Sequence, residues 1–376
     1  MNSKCPCCSS SLTIRNIFNF LPTSSAMLDV TPTFKQSNAR FDAGICNVCK
    51  HISNESETRF DFTYFDTRYV LKSSVSNTMS TNLQIILNFI IQGRTDFKNY
   101  SVLEIGSGAG EVAAWFADRG ADVFTIDPAI EGYENTKIKH HKVNFDKNTP
   151  NYIDKKFDLI LARHIIEHTD NPGEFLNVSK SFLNDNGKIY IEVPNLINTL
   201  TTHRLVDFFN DHMQHFTENS IRLLASNYGL IGEQIGYWLN EAHLGILLKQ
   251  DSIQYINNPI DIDIELMLNQ STDKLNSIYH NMESATSVSV YGAGAHSCTF
   301  VSQLTDTLKT KISHVFDKSN AKHGRYLPGL GIAITNPTEE LIKGQDLIVN
   351  TSSLYTKEVE QYLIQDLSFS GAIVHL

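Results

Sequence analysis

Short apolar runs ending in glycines or acids, each followed by an amphipathic stretch, fill the middle of the chain. Ser101-Val102-Leu103-Glu104-Ile105 predicts a strand, and Gly106-Ser107-Gly108-Ala109-Gly110 predicts a tight turn after it. Glu111 to Arg119 reads as a helix, and Asp122 to Ile126 as a second strand that ends at Asp127. A third strand is expected over Lys155 to Ala162, leading into Arg163-His164-Ile165-Ile166-Glu167-His168. A helix is expected over Phe175 to Leu183, then a turn at Asn186-Gly187 and a strand over Lys188 to Asn195. Thr217-Glu218-Asn219-Ser220 has the character of a helix N-cap for the segment through Leu224. Strand, glycine turn and helix make the first unit of a doubly wound α/β sheet.

The same pattern restarts near the C-terminus. Ser287 to Tyr291 runs into Gly292-Ala293-Gly294, Ile312 to Phe316 ends at Asp317, and Asp346 to Asn350 and Gly371 to Leu376 supply further strands. This predicts a second Rossmann-like unit, in which Asp317 and the glycine turn read as fold geometry rather than as an independent cofactor site. The expected divisions are 1–60, a connector at 61–98 that turns helical around Asn82 to Ile91, a central domain at 99–250, a helical linker at 251–286, and 287–376.

The N-terminal division has a different chemistry. Cys5 and Cys8, and again Cys46 and Cys49, are spaced as C-x2-C, and five of the six cysteines fall within the first 49 residues. Two such turns present four thiolates to one ion, so a closed, structural tetrahedral zinc site is expected on Cys5, Cys8, Cys46 and Cys49. Cys7, one residue from Cys8, is a poor partner for the same turn. The residues between the knuckles include Phe18, Phe20, Leu21, Met27, Phe34 and Phe41, which can wrap the metal.

Composition narrows the function. Lys plus Arg number 31 against 41 Asp plus Glu, a net charge of -10, which argues against a nucleic-acid backbone as partner. No apolar run approaches the roughly 20 residues that span a bilayer, and the N-terminus lacks a signal-peptide core, so no membrane partner and a cytoplasmic location are expected.

Asp127 lies 21 residues past Gly106, where it could accept hydrogen bonds from ribose hydroxyls. NAD and S-adenosylmethionine both remain open on that basis. Glu104 inside the strand, and G-S-G-A-G in place of G-x-G-x-x-G, suit an amino-acid moiety more than a pyrophosphate.

From Val102 to Asn195 the chain resembles the class I methyltransferases, through E-x-G-x-G-x-G, FDLI-LARHIIEH-TDNP and GKIYIEVPN. The resemblance implies a Rossmann-like core that binds S-adenosylmethionine. Glu104, Gly106 and Gly108 would hold the methionine part, Asp127 the ribose, and Phe145 with Asp146 the adenine. Arg163, at the end of the third strand, joins this cofactor set. With cysteine knuckles before the core and GAGAHSCTF and GRYLPG behind it, nearly the whole chain resembles the nucleotide-sugar C-methyltransferases. That family acts on deoxy-keto sugars, so a nucleotide-linked sugar is the implied partner.

The same resemblance implies a base. The family keeps Tyr-x-Glu-His after the GKIYIEVPN strand, and the matching residues are Phe209-Asn210-Asp211-His212. His212 takes the base position and Asp211 the acidic one, while Phe209 lacks the hydroxyl that would stabilise an oxyanion. Tyr69, before Lys72-Ser73-Ser74-Val75-Ser76, matches a second family tyrosine. His215 is a backup to His212, and His243, in NEAHLGI where the family has a Gly-Gly-Ser-like loop, a weaker one. His164 and His168 are expected to cap or pack locally, because no H-E-x-x-H arrangement exists. The alternatives to C-methylation are O- or N-methylation of a sugar or other small metabolite, and a non-catalytic binding protein.

Overall fold

Residues that alternate or run apolar between turn formers become strands of three sheets in the computed structural model, which describes residues 4–22, 27–32, 39–57 and 77–376. The N-terminal sheet is antiparallel. It is built from β1 (Thr13–Leu21), β2 (Ala39–Ile45) and β3 (Ile52–Asn54). Its fourth strand comes from far along the chain, because Gln214 and His215 pair with Ser53 and Ile52. The module is therefore stitched to the central domain by backbone hydrogen bonds, not merely tethered to it.

After α1 (Asn77–Ile91), the central domain opens with β4 (Ser101–Ile105), α2 (Glu111–Ala117), β5 (Asp122–Ile126) and β6 (Ile138–His141). Next come β7 (Phe157–Arg163), α3 (Pro172–Ser181) and β8 (Leu183–Pro194). The two-residue β9 (Gln214–His215), α4 (Glu218–Asn227), β10 (Leu230–Trp238) and β11 (His243–Gln250) complete it. The sheet order is β10-β11-β8-β7-β4-β5-β6, parallel from β8 to β6 and antiparallel at β11 and β10. The chain leaves β4 toward β5 and later returns on its other side as β7. The loops after β4 and β7 thus diverge, and an open α/β sheet binds ligands in that crevice. All five residues of β4 are buried, as a strand covered on both faces requires.

Two expected boundaries move. Asn171 caps α3 by accepting from the Glu174 backbone N–H at 3.0 Å, so the helix starts earlier and ends at Ser181, not Leu183. Asn186-Gly187 does not turn between elements but lies inside β8, where a Cβ on Gly187 would sit 2.7 Å from the Phe157 carbonyl.

The stretch from 251 to 263 has no regular structure, and the expected helical linker is α5 (Ile264–Ser284) alone. It leads to β12 (Val288–Tyr291), α6 (Ala295–Gln303), β13 (Ile312–Phe316), β14 (Ile334–Thr335), β15 (Leu347–Asn350) and β16 (Ala372–His375). These strands form a wholly parallel sheet in the order β14-β13-β12-β15-β16. One apolar cluster runs through Phe18 and Phe41 of the N-terminal sheet, Phe208 of the central domain, and Val290 and Phe300 of the C-terminal one. The outer modules share a core, which explains how a module of this size is held.

Candidate active site

A cavity of about 720 Å³ opens at the carboxyl ends of β4, β5 and β7. Glu104, Gly106, Gly108, Asp127, Phe145 and Arg163 all line it. The glycine loop owes its shape to backbone needs. Gly106 sits at φ 68°, and a Cβ there would fall 1.9 Å from Ile165 Cδ1. Gly108 and Gly110 are also left-handed, at 50° and 75°, where side chains with a Cβ are disfavoured. Tyr133, which the sequence did not single out, braces the loop. Its hydroxyl donates to the Gly108 carbonyl at 3.0 Å and lies 2.6 Å from the Ser107 hydroxyl.

Asp127 is fixed from two sides, accepting from the Gly108 N–H at 2.9 Å and the Ala129 N–H at 2.8 Å. Glu104 differs. It is 5% exposed, and its Oε2 has no hydrogen-bond partner among the described residues. Burial pushes its carboxyl up to about 8, because the charged form loses its water. A buried carboxylate oxygen left unpaired on a cavity wall calls for a cationic donor, and the amino-acid end of S-adenosylmethionine carries an ammonium. The donor set therefore fits that cofactor, with an acid for the ammonium, an open glycine loop and the ring of Phe145 on the wall.

Asp146 is a correction. It does not line the cavity, since its carboxylate accepts from the Asn148 backbone N–H at 2.7 Å and so caps its own turn. Asn144 and Phe145 face the cavity instead. Phe145 packs on Phe175, with ring centroids 5.2 Å apart.

The far wall is polar. Arg163 pairs with the fully buried Glu192 through Nε at 2.8 Å and through its terminal nitrogen at 3.3 Å. Tyr190 donates to the same carboxylate at 3.0 Å. Burial alone would raise Glu192, but the Arg163 guanidinium and His164 hold it well below the usual range. His164 and His168 line the cavity, although a merely local role was expected for both. His164 has φ 54° and lies 3.3 Å from Glu167 and from Glu192. Burial opposes its charge, yet the two carboxylates raise it to about 9.

His212 and Asp211 are not on the wall. Both are buried behind His168, whose Nδ1 donates to the Asp211 carbonyl at 2.8 Å and whose ring lies 4.7 Å from that of His212. Burial, with His168 and His215 nearby, keeps His212 neutral well below the usual histidine range. Phe209 meets His212 edge-on at 4.9 Å and stacks on His296 of the C-terminal domain at 5.7 Å. That position holds a ring among rings. His215 serves the N-terminal sheet between Phe41 and Phe208, away from the cavity. His243 lines the cavity, with Nδ1 3.3 Å from Glu192. Tyr69 lies outside the described residues.

In the N-terminal module, Cys5, Cys8, Cys46 and Cys49 bring their sulfurs within 4.8 Å of one another. Three of the spacings are 3.4 to 3.5 Å, too long for a disulfide. A tetrahedral Zn–S4 centre with bonds of about 2.3 Å has edges of roughly 3.8 Å, so these thiols suit that ion. Cys7 stays outside the group, and burial pushes its thiol up. In the C-terminal domain Asp317 is already engaged by the Ala293 N–H at 2.9 Å and by Lys322 at 2.8 Å. No helix among the described residues is long and apolar enough to cross a membrane.

Comparison with known proteins agrees with this layout. Residues 78–234 match the family model described as a methyltransferase domain, and residues 266–362 match the C-methyltransferase C-terminal domain. A ubiquinone biosynthesis O-methyltransferase from Rhodopseudomonas palustris (strain HaA2) is 32% identical over 100 residues, 25% of this chain and 40% of the relative. The C-methyltransferase NovU of Streptomyces niveus is 23% identical over 197 residues, 50% of this chain and 46% of the relative. The matched stretches thus span less than half the length of these curated relatives. Among solved structures, magnesium protoporphyrin IX methyltransferase (ChlM) from Synechocystis PCC 6803 with bound SAH is similar at a TM-score of 0.36 and 13% identity. That likeness covers 47% of this chain and 88% of that one. The chain has the class I methyltransferase fold, and its residues 78–234 and 266–362 are similar to a methyltransferase domain and a C-methyltransferase C-terminal domain, which supports an S-adenosylmethionine-dependent methyltransferase.

Proposed function

We propose that this chain is an S-adenosylmethionine-dependent C-methyltransferase acting on a nucleotide-linked deoxy-keto-sugar in the cytoplasm, with structural zinc on its four N-terminal cysteines. The observation that carries this reading is one cavity lined by the glycine loop, by Glu104 with an oxygen unpaired among the described residues, and by His164, His168 and His243, in a chain whose residues 266–362 match the C-methyltransferase C-terminal domain. The NovU likeness points the same way.

Bound in this cavity, S-adenosylmethionine would supply an electrophilic methyl group. Glu104, the glycine loop and Asp127 would hold its amino-acid and ribose parts, and Phe145 its base. A carbon nucleophile next to a ketone has to lose a proton first, and His168 on the cavity wall, with His212 packed behind it, is the pair suited to that exchange. We therefore expect His212→Ala to abolish exchange of the substrate's α proton into D2O, followed by NMR, while donor binding persists. Undiminished exchange in that variant would remove His212 from the chemistry.

Transfer to oxygen is the second reading. The likeness to ubiquinone biosynthesis O-methyltransferases favours it, as does Phe209, which has no hydroxyl to offer an enolate.

A further inference from the structure

We propose that His296 of the C-terminal domain is a positioning residue for His212, acting through the ring of Phe209. Resting on the methyltransferase reading above, this makes the second Rossmann-like unit part of the active-site apparatus. Its glycine turn is closed by the domain's own side chains. Ser297 donates to the Gly292 carbonyl at 2.7 Å, and its hydroxyl lies 2.5 Å from that of Thr351. Gly292 sits at φ 97°, where a Cβ would fall 2.5 Å from Ser352 Oγ. His296, in the first turn of α6, is what this turn sends toward the central domain.

The imidazole of His296 is held at both nitrogens. Its Nδ1 lies 3.0 Å from the Ser353 hydroxyl and 3.3 Å from the Thr351 carbonyl, both in its own domain. Its Nε2 reaches across to the central domain and lies 2.8 Å from Asp207 Oδ1. Asp207 is itself fixed, because Thr199 and Arg204 donate to its other oxygen, each at 2.9 Å. Burial would raise that carboxyl, but His296 and Arg204 hold it well below the usual carboxylate range. An ion pair anchored at both ends sets where the imidazole ring stands.

Two residues past Asp207, Phe209 stacks on that ring, with centroids 5.7 Å and planes 19° apart. The same phenyl ring meets His212 edge-on, at 4.9 Å and 90°. Stacked and edge-on contacts fix the mutual orientation of rings, and a phenyl ring suffices for that. His212 Nδ1 has no hydrogen-bond partner among the described residues, so ring packing carries the orientation of its imidazole toward His168, 4.7 Å away. Displacing such a group by an ångström slows proton transfer while leaving ligand binding intact.

The zinc-loaded full chain is compared with His296→Ala, His296→Phe and Phe209→Ala. With 13C-labelled histidines and S-adenosylhomocysteine added, the His212 ring signal is assigned by its loss in His212→Gln. It should be single in the native chain and in His296→Phe, and split or broadened in His296→Ala. With a keto-sugar acceptor, α-proton exchange should fall about tenfold or more in His296→Ala and in Phe209→Ala, with donor affinity and acceptor KM within about twofold. The double variant should lose no more than either single one, and His296→Phe should recover the rate. If His296→Ala fails to fold, His296→Gln, which keeps a polar group at Asp207 and removes the ring, takes its place. A His212 signal indifferent to His296, additive losses in the double variant, or no recovery in His296→Phe would overturn the proposal. A chain that methylates a keto-sugar with His212 indifferent to His296 loses this coupling and keeps the proposed function. A chain that shows the coupled signal but methylates no keto-sugar does the reverse.

Discussion

Glu104→Gln should weaken donor binding by roughly 10- to 100-fold, the range set by losing a hydrogen bond to a charged group of about 1.5–3 kcal/mol. The reason is that Glu104 is buried and, among the described residues, one of its oxygens has no hydrogen-bond partner. An ammonium would complete that oxygen, and a neutral amide offers it much less. The pH dependence carries the same information. Because the carboxyl is raised to about 8 by burial, it is protonated below that pH in the unliganded chain. Binding an ammonium favours the ionised form, so binding must release a proton in acid, and affinity should rise with pH by up to about tenfold per unit.

At still higher pH the ligand's own α-ammonium loses its charge, so affinity should rise through about pH 8 and fall only where that ammonium titrates. Calorimetric titration with S-adenosylhomocysteine across pH 6 to 9 checks this, and Glu104→Gln should flatten the acid limb. The sign for stability is the reverse. The folded, unliganded chain holds this proton where the unfolded chain has lost it. The contribution is therefore complete below the unfolded value of about 4.3 and disappears as pH rises toward 8.

Cys46→Ser should remove the zinc and unfold the N-terminal sheet. Structural zinc contributes an apparent 10–16 kcal/mol in small modules, comparable to the whole stability of a domain at about 5–15 kcal/mol. Cys46 bears the loss directly, because its sulfur neighbours both Cys8 and Cys49. The damage should spread along paired strands. Amide exchange should quicken across 39–45 and 52–54, and at Gln214 and His215, which pair with β3. Atomic emission should find one zinc per native chain and none in Cys46→Ser. Cys7→Ser should keep its zinc, since that sulfur lies outside the group.

These expectations draw on features of unequal legibility in the sequence. The core strands were readable because each is an apolar run closed by glycine or an acid, a local pattern. The cysteine cluster was readable because the C-x2-C spacing is itself the geometry. The N-terminal sheet was not, since β1 leaves most of its residues exposed or half-buried and β3 finds its partner some 160 residues later. Asp146 was misplaced for a local reason, as its short side chain satisfied its own turn. The histidine cluster was missed for the opposite reason. His168 and His212 are 44 residues apart, and only the loop before β9 brings them together. Phe209 looked like a lost hydroxyl in sequence and proves to be a buried ring between His212 and His296.

The most direct test of the account is to incubate the zinc-loaded chain with 13C-methyl-labelled S-adenosylmethionine and a panel of nucleoside-diphosphate-linked keto-deoxysugars, and to locate the label by NMR. The account predicts a new carbon–carbon bond next to the ketone, together with α-proton exchange that depends on His212. Label appearing on oxygen or nitrogen, or no transfer to any keto-sugar by a chain that binds the donor, would contradict it.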